Sequence, residues 1–213
     1  MYLPLFFNAD LTNCLVIGGG DVALRKIEVL LKAGCNLLVI SPRTVAGISE
    51  LIRDGKVAHL RRKYEYGDCM GNQLIISATS DSEVNTQVSE EARALGIPVN
   101  VVDEPDLCSV IFPAIERDEP LTIAVSTGGR APFMAAELRD RLRGTVKGWG
   151  RWVEIAGEFR ESVRKAVTEP AERGGLYRRF VAAGMPPDEV APPEDPDLDR
   201  WMDWLQRLED MNR

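Results

Sequence analysis

The stretch that decides the fold is Asn13-Cys14-Leu15-Val16-Ile17-Gly18-Gly19-Gly20-Asp21-Val22-Ala23. Asn13–Ile17 is short and largely apolar, as suits a strand buried on both faces. It ends at three consecutive glycines. Beyond them the period changes: Val22, Ala23, Ile27, Leu30 and Leu31 recur at helical spacing, and Gly34 supplies a stop. A second apolar run, Asn36–Ile40, then ends at Ser41-Pro42. Strand, glycine turn, helix and strand make a βαβ unit. Within it, Gly18 to Ala23 fits G-x-G-x-x-G/A. Gly18 permits the tight turn, and Gly20 lets the backbone approach a pyrophosphate. Ala23 lets the helix pack close to the strand, and the helix start at Asp21-Val22 offers free N–H groups to phosphates. The bland reading is a tight turn without a ligand. Against it stands the backbone entropy that three adjacent glycines cost.

Working outward, the alternation continues. Residues 45–53 read as a helix and 57–60 as a strand; 73–77 as a strand, 82–95 as a helix and 98–102 as a strand. This predicts a mostly parallel sheet with helices on both faces. The pattern then shifts. Residues 110–115 and 121–126 read as strands around a charged turn at 116–119. Residues 131–142 follow as a helix, and Gly144 marks a boundary. Trp149, Trp152, Val153, Ala156, Val163 and Val167 trace an amphipathic helix. Residues 184–197 hold five prolines and five acidic residues and read as an exposed, poorly ordered linker. Trp201, Trp204, Leu208 and Met211 form a last helical stripe.

In open α/β sheets, ligands bind at the carboxyl ends of the strands. Those ends are Gly18 to Gly20, Ser41, Ala78-Thr79 and Asp103. An acidic residue that would hold the ribose is missing after the second strand. Ser41 can bond the ribose there. Arg43 suits the extra phosphate of NADP, or is simply solvated. Asp103 is either a partly buried general base or the cap of a turn before Pro105. Ser126, Thr127, Gly128 and Arg130 precede a helix, where they either bind a carboxylate or cap the helix. Arg139, Arg141 and Arg143 on that helix are solvated or line an acidic substrate site.

Composition narrows the classes. The 213 residues are 45% hydrophobic and 28% charged, which is ordinary for a globular chain. The net charge of −7 argues against nucleic acid as partner. No apolar run reaches the roughly 18 residues that span a bilayer, so no membrane partner is expected. The start MYLPLFFNAD lacks the basic region and cleavage site of a signal peptide. A cytoplasmic location is therefore expected, and it suits four widely spaced cysteines without a CxxC pair. One histidine, His59, cannot build a multi-histidine metal site, and no metal ligands are expected.

Several blocks together resemble the precorrin-2 dehydrogenase family, which includes the N-terminal part of siroheme synthases. They are LPLFF (3–7), LVIGGGDVALRK (15–26), ISATSDSEVN (76–85), NVVDEP (100–105), IFPA (111–114) and IAVSTGGRAPFMA (123–135). They occur in the family's order across about the first 145 residues. The resemblance implies oxidation of precorrin-2 to sirohydrochlorin with NAD as hydride acceptor. It also admits insertion of ferrous iron as a second substrate in the same cleft, since some members do this. The family's catalytic aspartate falls on Asp103. Its nucleotide contacts fall on Gly18 to Val22, with Gly18, Gly20, Asp21 and Val22 as the candidates, and on the Pro42-Arg43 region; Ser41 and Thr79 are candidates from their place on the same edge. Its substrate-side serine block falls on Ser126-Thr127. Members are homodimers. The methyltransferase half of the trifunctional synthases is not expected within these residues.

The expected class is thus α/β: an N-terminal Rossmann-type parallel sheet over residues 1–112, a small α+β dimerisation and substrate segment over 113–145, and a C-terminal helical region over 146–213. The competing expectation is a sensing module that binds nucleotide or tetrapyrrole without catalysis.

Overall fold

The strand expected at Asn13–Ile17 is β1, with those bounds. In the computed structural model, residues 2–187, 190–194 and 197–212 are described. Two units are present, Met1–Phe112 and Pro113–Arg213. The first runs β1, α1 (Asp21–Ala33), β2 (Asn36–Ile40), α2 (Ala46–Arg53), β3 (Ala58–Leu60), β4 (Leu74–Ser77), α3 (Ser82–Ala94) and β5 (Val99–Val101). Its sheet has the order β3-β2-β1-β4-β5, and every pairing is parallel.

The twofold period of β1 divides the core. Cys14 and Val16 pack with Ala23, Ile27 and Leu30 of α1 and Ile48 of α2. Leu15 and Ile17 face the other way, onto Val88 and Ala92 of α3. A strand covered on both faces has no polar side to show, hence NCLVI. Gly34 ends α1 in a left-handed conformation (φ 98°), where its N–H reaches back to the last turn. Asp81 caps α3 by accepting from the Glu83 and Val84 amides.

The connection from β3 to β4 contains no helix. Polar stitching replaces it. Asp68 accepts from both terminal nitrogens of Arg62 at 2.7 and 2.6 Å and from the Glu65 amide at 2.8 Å. Glu91 of α3 is 2% exposed. Its carboxylate accepts from the Tyr64 hydroxyl and from the amides of Gly67 (3.1 Å) and Cys69 (3.0 Å). Removing Glu91 orphans three donors, each costing about 1–3 kcal/mol if left buried. Glu91→Leu is therefore expected to lose about 3 kcal/mol or more of stability. A denaturant midpoint unchanged from wild type would refute that role.

The second unit opens with a hairpin, β6 (Ala114–Asp118) and β7 (Leu121–Val125), paired antiparallel. Here the expectation needs correction. Asp118 stands opposite Leu121, so the turn is only Glu119-Pro120, and the charged residues 116–118 lie inside β6. They are tolerated because they find partners: Glu116 accepts from Arg143 at 3.1 Å. Arg139 and Arg141 likewise pair with Asp140 and Glu137, so the three arginines serve carboxylates of their own unit. The helix α4 spans Pro132–Val146 and runs through Gly144. The break falls instead at Gly148, in a left-handed conformation (φ 87°).

The helices α5 (Trp149–Ala166), α6 (Pro170–Ala183) and α7 (Leu198–Met211) form one aromatic core. α6 was not anticipated. Phe180 of α6 stacks on Trp152 (4.2 Å between centroids) and Phe159 (4.7 Å). On α7, Trp201, Trp204, Leu205 and Leu208 are buried, while Met211 is exposed. Val190, within the expected linker, is partly buried against this core. Residues 188, 189, 195 and 196 of that linker lie outside the described residues. Among the described residues no helix is long and apolar enough to cross a membrane.

Candidate active site

Four strand ends meet on the carboxyl edge of the first unit, those of β1, β2, β4 and β5. Gly18 closes β1 with φ 120°, a conformation that side chains rarely adopt. A Cβ there would lie 2.3 Å from the Ala78 carbonyl oxygen, just past β4. A Cβ on Gly19 would meet the Arg43 carbonyl oxygen at 2.1 Å. These two glycines are required by the fold itself. Gly20 differs: its backbone is extended (φ −88°) and a Cβ would meet nothing within 4 Å. Its open face adjoins the start of α1, where exposed Asp21 and half-buried Val22 sit in the first turn. An open glycine beside unspent helix N–H groups is the shape a pyrophosphate fills. The residues present therefore fit a dinucleotide.

On one side lies the end of β2. Ser41 is buried, and its hydroxyl donates to the Arg43 carbonyl at 2.6 Å. Its contribution to the site is thus the shape of the Pro42-Arg43 turn. His59 supports the same turn through a 3.0 Å contact between Nε2 and the Ser41 carbonyl. Pro42 and Arg43 are exposed. They line a groove of about 420 Å³ together with Thr44, Ser49, Ile52, His59 and Arg61.

On the other side lie the ends of β4 and β5. The Thr79 hydroxyl accepts from the Asp81 amide at 3.2 Å. Buried Asn85, which sequence reasoning passed over as a helix residue, ties this loop down. It accepts from the Ser77 hydroxyl at 2.7 Å and donates to the Thr79 carbonyl at 3.3 Å. The Val102 amide bonds the Ser77 carbonyl (2.9 Å), which sets Asp103 next to the β4 end. Among the described residues Asp103 is the one non-glycine with positive φ, at 62°. Its carboxylate is exposed rather than partly buried as expected. Such a backbone costs about 1 kcal/mol or more, and aspartate is among the few side chains that tolerate it.

The turn that carries Asp103 is clasped by Cys108. The Val101 amide donates to Sγ at 3.1 Å, and the thiol has the Val101 carbonyl at 3.1 Å and the Glu104 carbonyl at 3.4 Å as acceptors. Lys26 of α1 stands nearby. Its Nζ lies 4.1 Å from the centroid of the Phe112 ring. Burial and then the charge of Arg25 lower its pKa, and Cys108 and Asp103 oppose that shift. No local sequence signal marks Lys26, whose contact with Phe112 lies 86 residues on, whereas Cys108 acts locally, on backbone groups four and seven residues back.

The second unit holds the other expected site residues. The Ser126 hydroxyl accepts from the Gly128 amide (3.1 Å), and that of Thr127 from the Ala131 amide (3.1 Å). Gly128 and Gly129 are both left-handed. Arg130 is exposed. The hydroxyls thus shape the turn before α4, beside the exposed Arg130.

Comparison with known proteins gives three consecutive family matches. Residues 5–114 match a family described as putative NAD(P)-binding, residues 118–145 the sirohaem biosynthesis protein central region, and residues 148–205 the sirohaem synthase dimerisation region. The siroheme synthase of Methylococcus capsulatus is 44% identical over 181 residues, which cover 84% of this chain and 38% of that protein. That of Azotobacter vinelandii is 44% identical over 173 residues, covering 81% and 37%. The chain therefore spans under two-fifths of the length of these relatives. Among solved structures, SirC, a precorrin-2 dehydrogenase, superposes with a TM-score of 0.67 over 99% of this chain and all of that one. At 21% identity this likeness speaks for the fold.

Proposed function

This chain belongs to the putative NAD(P)-binding family, in the form that heads the siroheme synthases, and from that premise we propose that it is a dehydrogenase oxidising precorrin-2 to sirohydrochlorin in siroheme biosynthesis. The observation that carries the reading is the convergence on one sheet edge of an open Gly20 and a strained, exposed Asp103.

A bound nicotinamide supplies a hydride acceptor. The rest is the work of this chain. The backbone at Gly18, Gly20, Asp21 and Val22 cradles the pyrophosphate. Ser41, Pro42 and Arg43 shape the ribose side, and Thr79 borders the opposite wall. The macrocycle gives up a hydride and a proton as its conjugation extends, and the Asp103 carboxylate receives the proton. Ser126, Thr127, Gly128 and Arg130 hold carboxylates of the substrate. The exposed position of Asp103 also suits a second step, in which it takes pyrrole protons as ferrous iron, a substrate, enters the ring. NAD is the cofactor proposed. The groove bearing Arg43 and Arg61 has the charge to receive a ribose phosphate, which makes NADP the necessary comparison. A second copy is the proposed partner, bound through residues 113–145 and the helices beyond. Phe133, Met134 and Leu138 expose apolar surface on α4 in support. Neither nucleic acid nor a membrane is a proposed partner. The setting is the cytoplasm, where the four thiols stay reduced.

The test is anaerobic turnover of precorrin-2, followed by absorbance, with NAD or NADP and with ferrous iron withheld and then added. Sirohydrochlorin is expected only with the nicotinamide, and faster with NAD. Folded protein that binds the cofactor yet produces none would overturn the dehydrogenase and leave the sensing module.

A further inference from the structure

We propose that Lys26 is a substrate-anchoring residue, holding a peripheral carboxylate of the tetrapyrrole at the mouth of the Asp103 site. The inference rests on the reading that Asp103 faces the reacting macrocycle.

Lys26 follows Val22 by four residues on α1, so the two share a helix face one turn apart. Val22 belongs to the nucleotide end of that helix. The neighbours of Lys26 belong to the other end of the sheet edge. Its ammonium sits over Phe112, and Cys108 and Asp103 are close enough to act on its charge. Lys26 therefore joins the cofactor helix to the β5 turn that bears Asp103.

The ammonium is poorly served within its own unit. The residue is half-buried, and burial has cost its ammonium part of its water. The Phe112 face returns some of that cost as a cation–π contact. Yet a ring face takes no ordinary hydrogen bond, and among the described residues Lys26 forms no ion pair. A partly desolvated cation with unspent donors is a site for an anion. The anions this reaction brings are the carboxylates around the macrocycle. A carboxylate on Lys26 fixes one edge of the ring beside Asp103. Arg25, the adjoining cation, adds to the positive field. A purely structural lysine would need only its contact with Phe112.

The experiment compares the full-length wild type with Lys26→Met, which keeps an apolar stem over Phe112 and removes the charge. Two readouts are taken: steady-state kinetics with precorrin-2, and binding of sirohydrochlorin, titrated by tryptophan fluorescence without nicotinamide. A charged hydrogen bond of about 1.5–3 kcal/mol predicts a ten- to hundred-fold rise in KM and in the product Kd. Cofactor affinity should be unchanged, and Lys26→Arg should recover most of the loss. Unchanged KM and product affinity in folded Lys26→Met would overturn the proposal, leaving Lys26 structural. A fall confined to kcat would overturn it too, assigning Lys26 to the chemistry. Should Lys26→Met fail to fold, Lys26→Gln carries the same comparison. Wild-type protein that binds no tetrapyrrole would instead bring down the underlying reading of the site.

Discussion

Asp103→Asn is expected to lower turnover of precorrin-2 by about a hundredfold or more, the usual worth of a positioned proton acceptor. Asparagine is the right replacement because the backbone at this position is left-handed, with φ 62°. Asparagine tolerates that region nearly as well as aspartate, so the turn and its Cys108 clasp should survive. Alanine would add about 1–2 kcal/mol of strain and blur the result. Cofactor affinity and the thermal midpoint should match wild type. Turnover within a few-fold of wild type would remove Asp103 from the chemistry. Measuring iron insertion with the same variant shows whether the two steps share this carboxylate.

The second large effect separates the glycines. Gly20→Val should fold normally, with a stability change within about 1 kcal/mol, because a Cβ added there meets nothing within 4 Å and the backbone is extended. It should nonetheless raise the Kd for the nicotinamide cofactor by about a hundredfold or more, since the valine occupies the space a pyrophosphate needs. Gly18→Ala should do the reverse at the level of cause. Its Cβ would press into the Ala78 carbonyl and its φ is 120°, so the fold itself should weaken. Isothermal titration and denaturant melts on both variants make the test. Gly20→Val binding the cofactor as wild type does would mean that the open face is not the cradle.

The glycine turn could be read from the chain because every part of it is local. An apolar run, a residue without Cβ and a helical period all act within about two dozen residues, and β1, α1 and β2 came out where these signals stand. Asp81 and Asp197 also act locally, capping their helices through amides two or three residues on, although no cap was anticipated at either position. Elsewhere a local signal misled. The charges at 116–119 suggested a turn, yet Glu116 lies within a strand, where Arg143, 27 residues away, pairs with it. Gly144 suggested a boundary, yet the cost of a helical glycine, about 1 kcal/mol, is small enough for the helix to continue.

The sequence by itself thus determined the parallel sheet, the order of its elements and which strand ends share one edge, because strand direction follows from the βα alternation. Only the tertiary structure decided what each residue on that edge is free to do. It gave the Ser41 hydroxyl to the Arg43 carbonyl, freed Gly20, twisted Asp103 into a left-handed backbone and brought Lys26 over Phe112. The reason is physical. A residue's chemistry depends on which donors, acceptors and charges surround it, and 86 residues of chain separate Lys26 from the ring it covers.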